Sequence, residues 1–252
     1  MSEKGYVNVA IENGIGTVTF FHPKKNSLPG NLLAELAQAL LSLGGNAAAK
    51  VVVVQSAGNG AFCAGASFDE LLSVDSIEKS KTFFIGFARL ILAMKRIPKF
   101  VITRVQGKAV GGGVGVISAS DIAIATDSAA IKLSEFALGF GPFVIGPAVE
   151  RRIGKAAFTA SAIDTDWRDA QWCLQNGMFN SVTDSVESLD RAVHELAARL
   201  AKANPDAAAE LKAIAWEGTE HWDKLLEERA EISGRLVLSA FAQNAISAFK
   251  QK

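Results

Sequence analysis

Three consecutive glycines, Gly111-Gly112-Gly113, lie within Lys108-Ala109-Val110-Gly111-Gly112-Gly113-Val114-Gly115-Val116, between β-rich runs. Glycine lets backbone approach backbone or ligand because no Cβ intervenes. A helix starting at such a loop offers unpaired N–H groups and a partial positive charge. That suits an oxygen that carries or gains negative charge. The same glycines would equally serve a tight strand–helix packing joint. A second junction of small residues, Ala61-Phe62-Cys63-Ala64-Gly65-Ala66, follows the β-branched run Val51-Val52-Val53-Val54. Two N–H donors, one from each junction, are what an oxyanion hole needs. A carbonyl oxygen held there makes the adjacent α-carbon more acidic, and a nearby carboxylate can then move a proton. No Lys-Ser/Thr follows the glycines and no G-x-G-x-x-G spacing occurs, which argues against phosphate-loop and dinucleotide sites.

The elements that must hold these junctions alternate between strand and helix patterns. Val7–Glu12 and Gly16–Phe21 alternate about Asn13-Gly14, as a hairpin does. Leu28–Leu43 carries apolar residues at helical spacing, and residues 77–97 form an amphipathic helix that Pro98 ends. Val51–Val54 reads as a strand buried on both faces, Phe100–Val105 as another buried strand and Ile122–Ala125 as strand-like. Repeated strand–loop–helix units predict an α/β fold with parallel strands. From Ser188 the pattern is helical: Leu189–Ala203, then Pro205–Trp216, then one or two helices between Thr219 and Phe249. The apolar residues of that last stretch, Trp222, Leu226, Ile232, Leu236, Phe241 and Ile246 among them, must pack on a neighbouring subunit or on their own chain. We divide the chain into a core, 1–190, and a C-terminal helical region, 191–252.

Composition narrows the function. The chain has 252 residues, 49% of them hydrophobic and 21% charged, enough to bury a substantial core. Lys+Arg and Asp+Glu both number 26, so nothing suggests nucleic acid or an acidic membrane surface. Only Cys63 and Cys173 occur, without metal-ligand spacing, so no metal site is expected. The most hydrophobic region, 100–126, is interrupted by Arg104, Lys108 and Asp121 and reads as buried core rather than a membrane span. With no apolar segment at the N-terminus, a cytoplasmic location is expected. No Gly-x-Ser-x-Gly elbow surrounds any serine, which argues against a serine hydrolase.

Ala61–Ala66, then Val105-Gln106-Gly107-Lys108-Ala109-Val110-Gly111-Gly112-Gly113, then Glu135 followed by Leu138-Gly139, resemble the crotonase superfamily. The resemblance runs from about Val7 to Val182 and implies a ββα spiral with a C-terminal helical region that drives trimerisation. It implies an acyl-CoA thioester as substrate, coenzyme A entering as part of that substrate and no prosthetic group. It also implies a homotrimer or dimer of trimers as the assembly. By position, the amides of Ala66 and Gly112 would hold the thioester oxygen and Glu135 would move the proton. The Ala64 carbonyl would accept from the adenine amine. Phe143, Val144 and Ile145 would line the acyl end.

Two positions depart from the family pattern. Hydratases of the family carry a first glutamate three residues after the oxyanion glycine, where this chain has Gly115. Glu135 alone leaves hydration, double-bond isomerisation and decarboxylation of a branched glutaconyl thioester open, as well as an inactive acyl-CoA-binding homologue. A lysine that often reaches the CoA phosphates is replaced by Asp69. Lys24 and Lys25, on the loop His22–Ser27, are expected to supply that contact. Phe249 and Lys252 stand nearest to the C-terminal phenylalanine and lysine that touch CoA in relatives.

Overall fold

The computed structural model describes residues 5–250, and the side chains of residues 5–248. Strands β1 (Tyr6–Glu12) and β2 (Ile15–Phe21) form the expected hairpin, with Asn13 and Gly14 both at positive φ in the turn. The chain then crosses over through α1 (Gly30–Gly45) to β3 (Val51–Ser56), which pairs parallel to β2. The short α2 (Phe68–Leu72) and the long α3 (Ile77–Arg96) lead to β4 (Val101–Val105), parallel again. Next come β5 (Ala109–Val110), α4 (Gly112–Ala119), β6 (Ile122–Thr126) and β7 (Ala130–Lys132). They are followed by α5 (Gly146–Ile163), β8 (Arg168–Asp169), α6 (Ala170–Gln175) and β9 (Ser181–Thr183).

Six strands form one sheet in the order β1-β2-β3-β4-β6-β9. Alternation along β3 shows why its β-branched run is continuous. Val52 and Val54 join the main core under α1 and α3. Val51 and Val53 face the other way, with Ile15, Ile102 and Ile124, against Leu189, Val193 and Ala197 of α7 (Val186–Leu200). A strand covered on both faces has no polar side to show. Residue 190, the expected end of the core, therefore falls inside α7, a helix that covers this sheet.

Helices α8 (Pro205–Ala215), α9 (Trp222–Val237) and α10 (Ala240–Lys250) complete the chain. In the single chain these helices dock intramolecularly. A Cβ on Gly234 of α9 would lie 2.6 Å from Ser80 Oγ of α3, so the two helices meet at close range. Lys81 of α3 pairs with Glu227 and Glu231 of α9, each at 2.8 Å. The Lys212 ammonium, on α8 and buried, donates to the carbonyls of Met94 and Lys99, each at 2.7 Å. Among the described residues no helix is long and apolar enough to cross a membrane.

A second, three-stranded sheet, β5-β7-β8, builds the site. Two isolated bridges extend it: Cys63 pairs with Ala109, and Ala66 with Leu28. Read across, the platform runs from the loop carrying Lys25, through residues 63–66, to β5, β7 and β8.

Candidate active site

Both glycine-containing junctions meet on this platform. Cys63 N donates to Lys108 O at 3.3 Å and Val110 N returns a bond to Cys63 O at 2.9 Å. On the outer edge, Ala64 N donates to Lys25 O at 3.0 Å and Leu28 N to Gly65 O at 2.8 Å. Gly65 has φ +88°, and a Cβ there would lie 2.8 Å from Val110 O and 3.6 Å from Gly112 N. Only a residue without a side chain lets the two junctions come this close.

In the triple-glycine junction Gly111 has φ 50° and its amide donates to Lys132 O at 2.9 Å. Gly112 then opens α4, where its N–H has no intrahelical partner. Among the described residues, neither Ala66 N nor Gly112 N has a protein acceptor. Both residues stay partly accessible while Gly65, Gly111 and Gly113 are buried. A Cβ on Gly112 would run into the Phe87 ring of α3, so this glycine admits an aromatic wall as well as exposing an amide.

Glu135 stands at the start of a 3₁₀ turn, Phe136–Leu138, just after β7. Its Oε1 would be 2.9 Å from a Cβ on Gly111, which places the carboxylate against the residue that precedes Gly112. Its Oε2 is enclosed and has no hydrogen-bond partner. Burial raises the Glu135 carboxyl to about 7, opposed by the amides of Glu135 and Ser134. A carboxyl poised there can both take and return a proton at neutral pH.

These groups line one cavity of about 1150 Å³. Ala64, Ala66, Gly111, Gly112 and Glu135 share it with an apolar wall of Leu71, Phe84, Phe87 and Phe140 and with the expected trio Phe143, Val144 and Ile145. Among the described residues, Glu135 is the only carboxylate on its lining. At Gly115, one turn into α4, a Cβ would lie 2.5 Å from Ile145 Cγ2 and 2.9 Å from Ile145 Cβ. Ile145 thus occupies the space that any side chain at position 115 would need.

The two early lysines part company. Lys25, at φ 52°, lines the cavity. Lys24 does not; it pairs with Asp69, so the acid at the position of the missing lysine holds a lysine from the loop. Lys252 lies outside the described residues, and so does the side chain of Phe249, whose backbone belongs to α10. Sequence reasoning passed over Lys108, Lys132 and Trp167, which also line the cavity. The alternation of Lys108 with Val110 was a signal, but their grouping needs the pairing of β8, a two-residue strand with no sequence signature.

Comparison with known proteins agrees with this architecture. Over 249 residues the chain is 27% identical to the short-chain-enoyl-CoA hydratase of Clostridium acetobutylicum, covering 96% of this chain and 93% of that one. An enoyl-CoA hydratase structure from Mycobacterium avium subsp. paratuberculosis superposes with TM-score 0.85 at 25% identity, over 97% of this chain and 95% of the other. The enoyl-CoA hydratase structure from Bacillus halodurans, at 21% identity, shows the shared fold with TM-score 0.89 over 96% and 99% of the two chains. The crotonase-type α/β fold implied by the sequence is therefore the fold observed. Residues 10–252 match the enoyl-CoA hydratase/isomerase family, and the chain belongs to that family.

Proposed function

We propose that this enzyme moves the double bond of an enoyl-CoA thioester with a single carboxylate. The observation that carries the reading is the packing of Ile145 against Gly115, which leaves Glu135 alone on the cavity wall. Adding water to an enoyl thioester calls for a water that is held and deprotonated. Moving a double bond calls only for one base and a place for negative charge.

In this mechanism the thioester oxygen accepts from Ala66 N and Gly112 N. The Glu135 carboxylate takes a proton from C2 of a 3-enoyl thioester. The electron pair left behind forms a dienolate, whose oxygen the two amides stabilise. Protonated Glu135 then returns the proton to C4, and the double bond lies between C2 and C3. Acid, base and electron sink are all supplied by the chain, so no prosthetic group enters. The CoA moiety is placed along Ala64 and Lys25, with Lys24 held back by Asp69. Phe249 and Lys252 are assigned to the same moiety on resemblance alone.

A homotrimer or dimer of trimers in the cytoplasm completes the reading. Exposed apolar side chains at Phe136, Ile163, Leu211, Ile214 and Phe241 support an assembly. Product analysis tests the chemistry. Purified protein is given a 2-enoyl-CoA, a 3-enoyl-CoA and 3-methylglutaconyl-CoA in parallel, and the products are weighed by mass spectrometry. The expected result is a shifted double bond with no mass change. Gain of water as the main outcome would replace isomerase by hydratase, and loss of carbon dioxide would replace it by decarboxylase. Thioesters that bind but return unchanged would make this an inactive binding homologue.

A further inference from the structure

Lys108, Lys132 and Trp167 take no part in the proton transfer above, yet they converge from three segments of the small sheet. Register explains how. Val110 pairs with Lys132, and Ile131 with Arg168, so residues 108, 110, 132 and 167 share one face. That face is the cavity wall, since all four residues line it. Lys108 Nζ lies 4.8 Å, and Lys132 Nζ 5.9 Å, from the centroid of the Trp167 ring. Two ammonium groups therefore lie close to one indole, which is 41% exposed.

Among the described residues, neither lysine has a carboxylate within ion-pair range. Two acids beside β8, Asp169 and Asp164, are engaged elsewhere. Asp169 Oδ1 caps α6 by accepting from Trp172 N at 2.8 Å, and Asp164 pairs with Arg168 at 2.8 Å. Two like charges gathered without a counter-ion repel one another, and an anion between them relieves that repulsion.

Position selects the anion. Ala66 and Gly112 stand at the ends of the middle segments of the platform. Lys25 lies at one edge, next to the segment that carries both Ala64 and Ala66, and Lys132 and Trp167 lie toward the other. With CoA along the Lys25 edge, as in the function proposed above, the β7–β8 edge faces the acyl group. We propose that Lys108 and Lys132, steered by Trp167, bind a carboxylate carried on the acyl chain. The preferred substrates are then CoA thioesters of dicarboxylic acids.

Calorimetry with unreactive saturated thioesters tests this without relying on turnover. Butyryl-CoA, glutaryl-CoA and their pantetheine counterparts are titrated into wild-type protein, Lys108→Met, Lys132→Met and Lys132→Arg. The wild type should bind glutaryl-CoA about tenfold more tightly than butyryl-CoA, the size of one charge-assisted contact. Each Lys→Met change should erase that preference and leave butyryl-CoA affinity unchanged, while Lys132→Arg retains it. Equal wild-type affinities for the two CoA esters overturn the proposal. So does a Lys→Met loss that appears with butyryl-CoA but not with butyryl-pantetheine, which would assign the lysines to the CoA phosphates. Failure to bind any thioester would instead overturn the thioester seat at Ala66 and Gly112, and this subsite with it.

Discussion

Ile145 packs against the bare Cα of Gly115, with its Cγ2 only 2.5 Å from where a Cβ would stand. Both residues are buried, and Ile91 closes the same space at 3.8 Å. The glycine and the isoleucine are one structural choice: a larger residue at 115 requires a smaller one at 145. Among the described residues, no side chain at position 115 joins Glu135 on the cavity wall.

This pairing predicts an asymmetric response to substitution. Gly115→Glu alone should cost about 1–3 kcal/mol through overpacking and should add no hydratase activity. Gly115→Glu combined with Ile145→Ala should recover stability and begin to add water to a 2-enoyl-CoA. Thermal unfolding and mass-spectrometric product analysis read the two effects. A single variant as stable as the wild type would show that Ile145 does not hold that space.

Glu135 makes a pH signature expected in catalysis. Its carboxyl lies at about 7, and the proposed mechanism uses the base form. Below that value kcat/KM should fall about tenfold per pH unit, and above it should level off. Glu135→Gln should abolish turnover while leaving acyl-CoA binding intact. A flat wild-type profile from pH 5 to 9, or substantial turnover by the Gln variant, would remove Glu135 from the mechanism.

The same shift has a stability counterpart with a definite sign. A carboxyl raised from 4.5 to about 7 favours the fold in its protonated form. That contribution is fully present below pH 4.5 and is lost as pH rises through 7. Glu135→Gln has no proton to lose, so its melting temperature should gain on the wild type between pH 5 and pH 9. Parallel melting curves across that range would contradict the burial of this carboxylate.

Lys212 predicts how the C-terminal helices are held. Its ammonium, 2% exposed at the side chain, lies 3.1 Å from Asp121 Oδ2. Asp121 in turn accepts from Val101 N at 2.7 Å and from Trp216 Nε1 at 3.1 Å. Lys212→Met leaves a buried carboxylate without its cation and should cost about 3–5 kcal/mol in chemical denaturation. A loss below about 1 kcal/mol, the range of exposed pairs, would mean that the pair is open to water.

Local sequence determined much of the architecture. Asn13-Gly14 set the hairpin, Val51–Val54 the doubly covered strand, and Pro98 and Pro205 the ends of their helices, because these are short-range steric and hydrophobic preferences. The glycines at 65 and 111–113 were legible for a related reason: a position that excludes a Cβ announces itself by residue type. Gly115 was equally visible as a departure, but its meaning was not, since Ile145 lies 30 residues away and reaches it only when α5 packs on α4. The three-dimensional fold alone decided that Asp69 holds Lys24, that Asp121 holds Lys212, and that Lys108, Lys132 and Trp167 share a wall. Each depends on pairing between segments distant in the chain, and such pairing is fixed by packing and sheet register rather than by any residue's own preference.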